Sequence, residues 1–485
     1  MAAKIDSHFT SQVKTILNKV YGRSVLKDSL LERAISFYEN QPFNQNKLDK
    51  LQQRIVELET QKDDDNVKRH IEKIERDYRD FKQELKLESN ERHKFLYTLC
   101  KDIIDLCEGS TFKDSVRKSA QLLGTIQLLS PTEGKRVAEA NERSKPLYKA
   151  VLSLRLLDQL FIANEVCVQD QYVQQVLEGV DSEQFQDLKS LDKEKYKSLI
   201  EDIKIPFLMA SLIQDIGHFH PEAQKIVCGP DGTLDPFRTL KVEERKALLQ
   251  VNYRETIKFL VDGIGVPLYI GNSKADRDKF NVSEHRKLVF IKHLLKNAIS
   301  PKQGIGNVLK VPQIYASIIL STKSSYNYKL LPKVYQALNQ NAERGTICQV
   351  AVDTLRQITG EFPLGYGVTY IPTDSDGKKG EHYEYAIVTQ LYPENPKHPV
   401  CRMATRGLTF IAHGQDIVIK DDINLYNTDT AKEFAAISKD RLNEILEKLA
   451  SNYQERKKLD LLPRCWHAND YFGMRNHQKL WNKTS

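Results

Sequence analysis

The sequence predicts a mainly α-helical protein with a small β module near its C-terminus. Up to about Gln357, apolar residues recur at three- and four-residue steps with few prolines or glycines between them, which is the spacing of one helix face. After Thr359, short runs of β-branched and aromatic residues are separated by turn residues, which is the pattern of strands. These two observations set the fold class.

A polar helical arm is expected from Thr10 to about Asn90. The charged segment 61–66 divides it into two halves, and each half carries a narrow apolar stripe. Two helices that fold back as a hairpin would bury these stripes against each other, and a dimeric coiled coil is the alternative. The stripes consist of Leu48, Leu51, Ile55 and Leu58 in the first half and Ile71, Ile74, Tyr78, Phe81 and Leu85 in the second.

A wider apolar face follows from Glu91 to about Asn164 and suits burial in a globular core. Proline favours the first turn of a helix, so Pro146 marks the expected start of a second domain. We therefore predict an N-terminal helical arm and bundle over residues 1–145 and a second helical domain over 146–357. The β module, with a C-terminal helix and an aromatic tail, covers 358–485.

The β module is expected to begin with strands in 362–371 and 383–391, which flank a turn at residues 374–377. Shorter strands are expected in 400–403, 408–412 and 416–419, and a last helix in 439–459. The tail contains Trp466, Tyr471, Phe472 and Trp481. Such a cluster is expected to anchor the tail to the domain surface, with a stacking platform for bases as the alternative.

Composition restricts the function classes. No apolar run approaches the roughly 20 residues that cross a bilayer, and the N-terminal residues lack the apolar segment of a secretory signal. We therefore expect a cytoplasmic protein without a membrane partner. The net charge of +7 is spread over 485 residues without a basic stripe, so no nucleic-acid partner is expected. Seven single cysteines without a C-x-x-C pair argue against a disulfide framework and a zinc knuckle.

The segment 211–218 carries the most specific chemical signal. An apolar helix ends in Gln214-Asp215, and Ile216, Gly217 and His218 follow. Carboxylate oxygen and neutral imidazole are ligands for divalent metals, whereas a glutamine amide is a weak donor. His218 and His220, with Glu222 close by, have a spacing compatible with metal binding on one loop, although loop histidines also serve as surface or capping residues.

This segment resembles the signature of the HD-domain metallophosphohydrolases, in which a His-Asp pair ends the helix. The order of segments from about Ala150 to Pro399 is most similar to the HD-GYP branch, the cyclic di-GMP phosphodiesterases. The resemblance implies a helical HD-domain-like bundle with a divalent-metal site. Asp215 matches the aspartate of the family, and His285 is the candidate for its His-His segment.

The sequence departs from the family at several ligand positions. Gln214 replaces the motif histidine, Asn252 stands where a further histidine is expected, and Gln313 replaces a later aspartate. A two-metal site that activates water needs several ligands together. The resemblance therefore implies a phosphohydrolase scaffold that has lost its chemistry, and we expect no cofactor.

Arg402 and Arg406 have the Arg-x-x-x-Arg spacing that resembles the cyclic di-GMP grip of PilZ domains. Two guanidinium groups at this spacing are able to pair with phosphates. The companion motif of that family does not follow in the sequence, and the spacing alone is common.

The leading hypothesis is a non-catalytic bacterial signalling protein that senses a ligand such as cyclic di-GMP or binds a protein partner. The alternative is an active metal-dependent phosphohydrolase of cyclic dinucleotides or nucleotides, with Asp215 and His218 as catalytic residues. Its divalent metal would be held by Asp215, His218, His220 and His285. A third hypothesis is an interaction adaptor that captures partners, or self-associates, through the N-terminal arm.

Overall fold

The computed structural model describes residues 6–22, 28–59, 65–165, 168–449 and 462–482. Most of the predicted charged break at 61–66 lies outside these ranges. Cys167 and the second half of the helix predicted at 439–459 lie outside them too.

The protein is mainly α-helical with a small antiparallel sheet in its C-terminal region, which confirms the predicted fold class. Among the described residues, no helix has both the length and the apolar content needed to cross a membrane. The α-helices are α1 His8–Tyr21, α2 Leu30–Glu59, α3 Asp65–Cys107, α4 Phe112–Leu129, α5 Val137–Ile162, α6 Gln171–Val176, α7 Leu188–Leu191, α8 Lys193–Ser198, α9 Ile205–Ile213, α10 Pro221–Cys228, α11 Val242–Lys258, α12 Lys274–Asn297, α13 Asn307–Ile319, α14 Val334–Glu343, α15 Gln349–Thr359, α16 Thr428–Ala435, α17 Lys439–Leu449 and α18 Asn469–Phe472.

The chain divides into two compact units that are each discontinuous in sequence. Unit 1 consists of Met1–Leu17, Asp102–Lys204 and Lys296–Ser485, and unit 2 consists of Asn18–Lys101 and Ile205–Leu295. The boundaries predicted near Pro146 and after Gln357 both fall inside unit 1. Pro146 lies within α5 rather than at its start, because the helix already begins at Val137 and buried residues lie on both sides of the proline.

The helical arm belongs to unit 2 from Asn18 onward, and α2 and α3 form the predicted hairpin. Leu58 of α2 packs against Ile71 and Ile74 of α3, and partly buried apolar side chains from both helices surround this contact. Farther along the two helices, the ammonium group of Lys47 lies 3.6 Å from the centre of the Phe81 ring. The two stripes therefore bury each other within one chain.

The second segment of unit 2 places α9, α10 and α11 together. Ala223 of α10 packs against Leu248 and Val251 of α11. The guanidinium of Arg238 binds both carboxylate oxygens of Glu244, at 2.9 and 2.7 Å. It also donates to backbone carbonyls at the end of α10, which fixes the intervening loop.

In unit 1, the largely buried helix α5 packs against α4, α13 and α15. The five-stranded sheet is antiparallel with strand order β6-β3-β2-β1-β7, and a separate hairpin joins β4 to β5. The strands are β1 Gly367–Tyr370, β2 Glu384–Val388, β3 Val400–Met403, β4 Thr405–Arg406, β5 Thr409–Phe410, β6 Asp416–Val418 and β7 Cys465–Trp466.

The aromatic tail is anchored to unit 1. Trp466 lies in the edge strand β7, and its indole N–H donates to the carbonyl of Ala386 at 3.0 Å. The indole N–H of Trp481 donates to the carbonyl of Thr389 at 2.9 Å. A Cβ atom at Gly124 would lie 2.3 Å from the Trp481 ring, so α4 needs a glycine at this contact. Both rings are buried, which favours the anchoring role over a platform for bases.

A buried network of four charges in unit 1 joins α5 to Glu108, the first residue after α3, and to Lys204, the last residue of the π-helix Leu199–Lys204. Arg155 binds Glu108 and, at 2.7 Å, Asp158. Lys204 binds Glu108 at 2.7 Å and Asp158 at 3.0 Å. Burial raises the pKa of Glu108, but the charges of Arg155 and Lys204 outweigh this effect and lower the pKa to about 2. At Asp158, burial outweighs the same two cations, so the pKa of that carboxyl is raised.

Replacing Arg155 by methionine is expected to destabilise the protein by about 3 to 5 kcal/mol, because Glu108 and Asp158 would then share one cation without access to water. The free energy of unfolding is measured by urea titration with circular dichroism. The matched control is Arg117→Met, which removes a surface ion pair with Asp114 and should cost less than about 1 kcal/mol. Equal effects of the two substitutions would show that the buried network does not stabilise the fold.

Candidate functional site

The turn after α9 lies against α11 in unit 2. Helix α9 is fully buried and ends at Ile213, and the residues Gln214 and Asp215 lead into the short 3-10 helix Ile216–Phe219. A Cβ atom at Gly217 would lie 2.2 Å from the backbone oxygen of Asn252. The motif glycine is therefore required by the close approach of the turn to α11.

Two side chains of α11 bind the backbone of this turn. The amide of Asn252 donates to the carbonyl of Gln214 at 3.1 Å. The hydroxyl of Thr256 accepts the Gly217 N–H at 3.1 Å, and it lies 3.5 Å from the side-chain oxygen of Asn252. The structure thus brings Gln214 and Asn252 together, and Asn252 holds the end of α9 through a hydrogen bond.

A group of three potential metal ligands lies next to this turn. The nearest ligand atoms of His220, Glu222 and Glu255 all lie within 4.8 Å of one another. His220 is the N-cap of α10, Glu222 lies in its first turn, and Glu255 lies on α11. The Glu255 side chain is 1% exposed, and its Oε2 atom lies 3.7 Å from His220 Nε2.

Cations of α11 already neutralise both carboxylates of this group. Arg254 binds Glu222, and its Nε donates to Glu255 Oε1 at 2.5 Å. Lys258 donates to the same oxygen at 3.3 Å. Burial raises the pKa of Glu255, but the Arg254 hydrogen bond and the charge of Lys258 outweigh this effect, so the pKa is lowered.

The imidazole of His220 caps α10 and packs against a neighbouring ring. Its Nδ1 accepts the backbone N–H of Glu222 at 3.2 Å, which caps α10. In the neutral ring the proton then resides on Nε2 and faces Glu255. Burial lowers the pKa of His220, which favours this neutral form. The ring of Tyr38 packs edge-on against the imidazole with centres 5.1 Å apart.

This arrangement is an ion-pair network built around a helix cap. A divalent cation would have to displace Arg254 from two carboxylates, and a bond to Nε2 would require the ring proton to move to Nδ1 against the N–H of Glu222. The chemistry of the donor set suits a metal, and the buried Oε2 atom of Glu255 has no hydrogen-bond partner among the described residues. Glu255 Oε1, Glu222 and His220 Nδ1 are instead bound by Arg254, Lys258 and the α10 cap.

The remaining residues indicated by the sequence do not join this group. Asp215 and His218 are half-buried in the turn, and His285 is exposed on α12. Gln313 is half-buried on α13 and belongs to unit 1, whereas the other four positions that the resemblance indicated, Gln214, Asp215, Asn252 and His285, belong to unit 2. In the part of the chain that the structure describes, the three-ligand group contains His220 and Glu222, which the sequence indicated together, and adds Glu255 to them.

Glu255 was missed by the sequence reasoning. It lies three residues after Asn252 on α11, so the two share a helix face. The sequence did contain one signal, a carboxylate three residues after Asn252, the position at which the resemblance indicates a metal ligand. The contact of Glu255 with His220 requires the turn at Gly217 to lie close to α11. The spacing of residues in the sequence does not reveal this packing.

The two arginines of the predicted cyclic di-GMP motif lie in unit 1 and differ in environment. Arg402 on β3 is 8% exposed, and its Nε donates to Asp416 at 2.6 Å. Its Nη2 donates to the carbonyl of Asn482 at 3.1 Å. Arg406 on β4 is exposed. The guanidinium of Arg402 is therefore engaged within the β module.

Comparisons with protein-family models, with curated proteins and with solved structures gave no match for this chain.

The hydrogen bond of Asn252 is expected to stabilise unit 2. Asn252→Ala leaves the Gln214 carbonyl without this donor, which should cost about 1 to 3 kcal/mol of unfolding free energy. Urea unfolding measures the change. Gln250→Ala, at an exposed position of the same helix, is the control and should leave stability nearly unchanged. A variant at Asn252 as stable as the control would contradict the structural role of this side chain.

Proposed function

We propose that this protein is a non-catalytic signalling protein in which an HD-GYP-like helical scaffold serves binding rather than hydrolysis. The observation that carries the proposal is the hydrogen bond from Asn252 to the Gln214 carbonyl. A residue at a position of a family metal ligand is used to hold the polypeptide together.

The charges near the turn support the same proposal. Metal-dependent hydrolysis needs ligands that are free to bind the ion and an open position for water. Here Arg254 occupies both Glu222 and Glu255, and His220 caps α10. These contacts stabilise the scaffold without a metal ion.

The second candidate is a metal-dependent phosphohydrolase with a rearranged site. The convergence of His220, Glu222 and Glu255 within 4.8 Å favours it. In that function the three residues would hold the cation, and the cation would supply an activated water and neutralise phosphate charge. Asp215 and His218 are retained from the sequence hypothesis as its further candidates.

Metal analysis of the purified full-length protein separates the two functions. We expect well below one divalent metal ion per chain after incubation with Mn²⁺ or Zn²⁺, and no hydrolysis of cyclic di-GMP or nucleoside triphosphates. Plasma mass spectrometry and chromatographic product assays measure these quantities. Stoichiometric metal together with turnover that Asp215→Ala abolishes would replace the proposal by the second candidate.

Arg254→Met tests whether this arginine keeps a cation out. Because the substitution frees two carboxylates, Mn²⁺ affinity should rise by about tenfold or more, and His220→Ala in the same background should remove the gain. Isothermal titration calorimetry measures the affinity. Arg245→Met, an exposed arginine on the same helix, is the control and should leave it unchanged. Equal Mn²⁺ affinity in the wild-type protein and Arg254→Met would show that Arg254 does not block the site.

The cyclic di-GMP form of the proposal makes a separate prediction. Because Asp416 and the Asn482 carbonyl already bind Arg402, we expect no saturable binding of cyclic di-GMP through Arg402 and Arg406. Calorimetric titration of the full-length protein measures it, with Arg406→Ala as the comparison. Binding that Arg406→Ala weakens about tenfold or more would instead assign the ligand to this arginine pair.

A further inference from the structure

Helix α12 carries an exposed basic face that the candidate site does not use. Its opposite face packs into unit 2 through Phe290, Ile291, Leu294 and Leu295. The residues at three- and four-residue steps on the outer face are all exposed, and they are Val282, His285, Arg286, Val289, Lys292 and His293. We call this set the α12 outer face.

The charge of the α12 outer face is of one sign. These six residues include no carboxylate, and Glu284 lies away from them, paired with Lys287 at 2.9 Å. Asp278, one turn before Val282 on the same side of the helix, is exposed and lies 3.8 Å from Nε of Arg277, which offsets its charge. Within the described part of the chain, neither Arg286 nor Lys292 has an ion-pair partner. Uncompensated cations aligned on one helix face create a positive potential that attracts an anionic partner.

Two exposed valines lie among these cations. Val282 and Val289 are 56% and 53% exposed. They are seven residues apart, so their Cα atoms are separated by about 10.5 Å along the helix axis. Seven residues make one heptad, and the apolar side chains of a helix packed against α12 would recur at the same interval.

We propose that the α12 outer face docks an acidic amphipathic helix of a partner protein. Apolar residues of the partner would pack on Val282 and Val289, and its carboxylates would pair with Arg286 and Lys292. Charge complementarity selects an anionic partner, and the valines select a helix over a phosphate backbone, which gains nothing from apolar contacts. An anionic membrane requires a broad continuous apolar face, whereas cations interrupt this one.

The test uses the full-length protein and a synthetic peptide of about 21 residues, with leucine at heptad positions a and d and glutamate at e and g. Fluorescence anisotropy of the labelled peptide measures binding. We expect saturable binding that weakens as NaCl rises from about 50 to 300 mM. A peptide with lysine in place of each glutamate should not bind.

Two pairs of substitutions locate the interaction. Arg286→Glu with Lys292→Glu should weaken peptide binding by about tenfold or more, because two attractions become repulsions. Val282→Ser with Val289→Ser should weaken it several-fold while keeping the charge. The matched control is Lys439→Glu with Lys448→Glu on α17, which makes the same change in net charge at exposed positions and should have no effect. Circular dichroism melting confirms that every variant folds.

Three results would overturn the proposal. The first is the absence of peptide binding by the wild-type protein. The second is an equal loss in the α17 control, which would reduce the effect to net charge. The third is tighter binding of duplex DNA or phosphatidylserine vesicles than of the peptide, lost on charge reversal at Arg286 and Lys292, which would assign the face to that partner instead. The peptide test does not depend on the metal assay, so either proposal is able to fail alone.

Discussion

The contact between Gly217 and the backbone of Asn252 is the constraint on which the candidate site depends. A side chain at Gly217 would lie 2.2 Å from the Asn252 oxygen, so α11 reaches the turn only where the chain has a glycine. From this contact follow the hydrogen bonds of Asn252 and Thr256 to the turn. The same approach places Glu255 beside His220, where Arg254 and Lys258 complete the charges.

The periodic spacing of apolar residues is what allows the sequence to predict the local elements of the fold. The hairpin of α2 and α3 and the strands of the C-terminal module follow from apolar spacing and turn residues, which are properties of short segments. The two discontinuous units do not follow from it, because the association of residues 18–101 with 205–295 depends on contacts between distant segments. Pro146 illustrates the limit, since burial of its neighbours keeps it inside α5.

Charged residues of this protein take different roles according to burial. Arg155 and Lys204 are buried with two carboxylates and hold helical segments of unit 1 in register. Arg254 is half-exposed and forms ion pairs with two carboxylates beside the turn. Arg286 and Lys292 are exposed without ion-pair partners in the described ranges, and this leaves their charge available to a partner. The sequence shows only that these residues are charged. The structure shows which of them are buried and which form ion pairs, and so distinguishes their roles.

Hydrogen bonds from Asn252 and Thr256 hold the turn after α9, and we propose that no metal ion takes part. A crystal structure of the full-length protein soaked in Mn²⁺, with an anomalous difference map, measures this. We expect no manganese peak beside Asp215, His220 and Glu255, with the Asn252 amide still bound to the Gln214 carbonyl. A fully occupied manganese ion bound by Asp215 or Glu255, with Arg254 displaced, would contradict it.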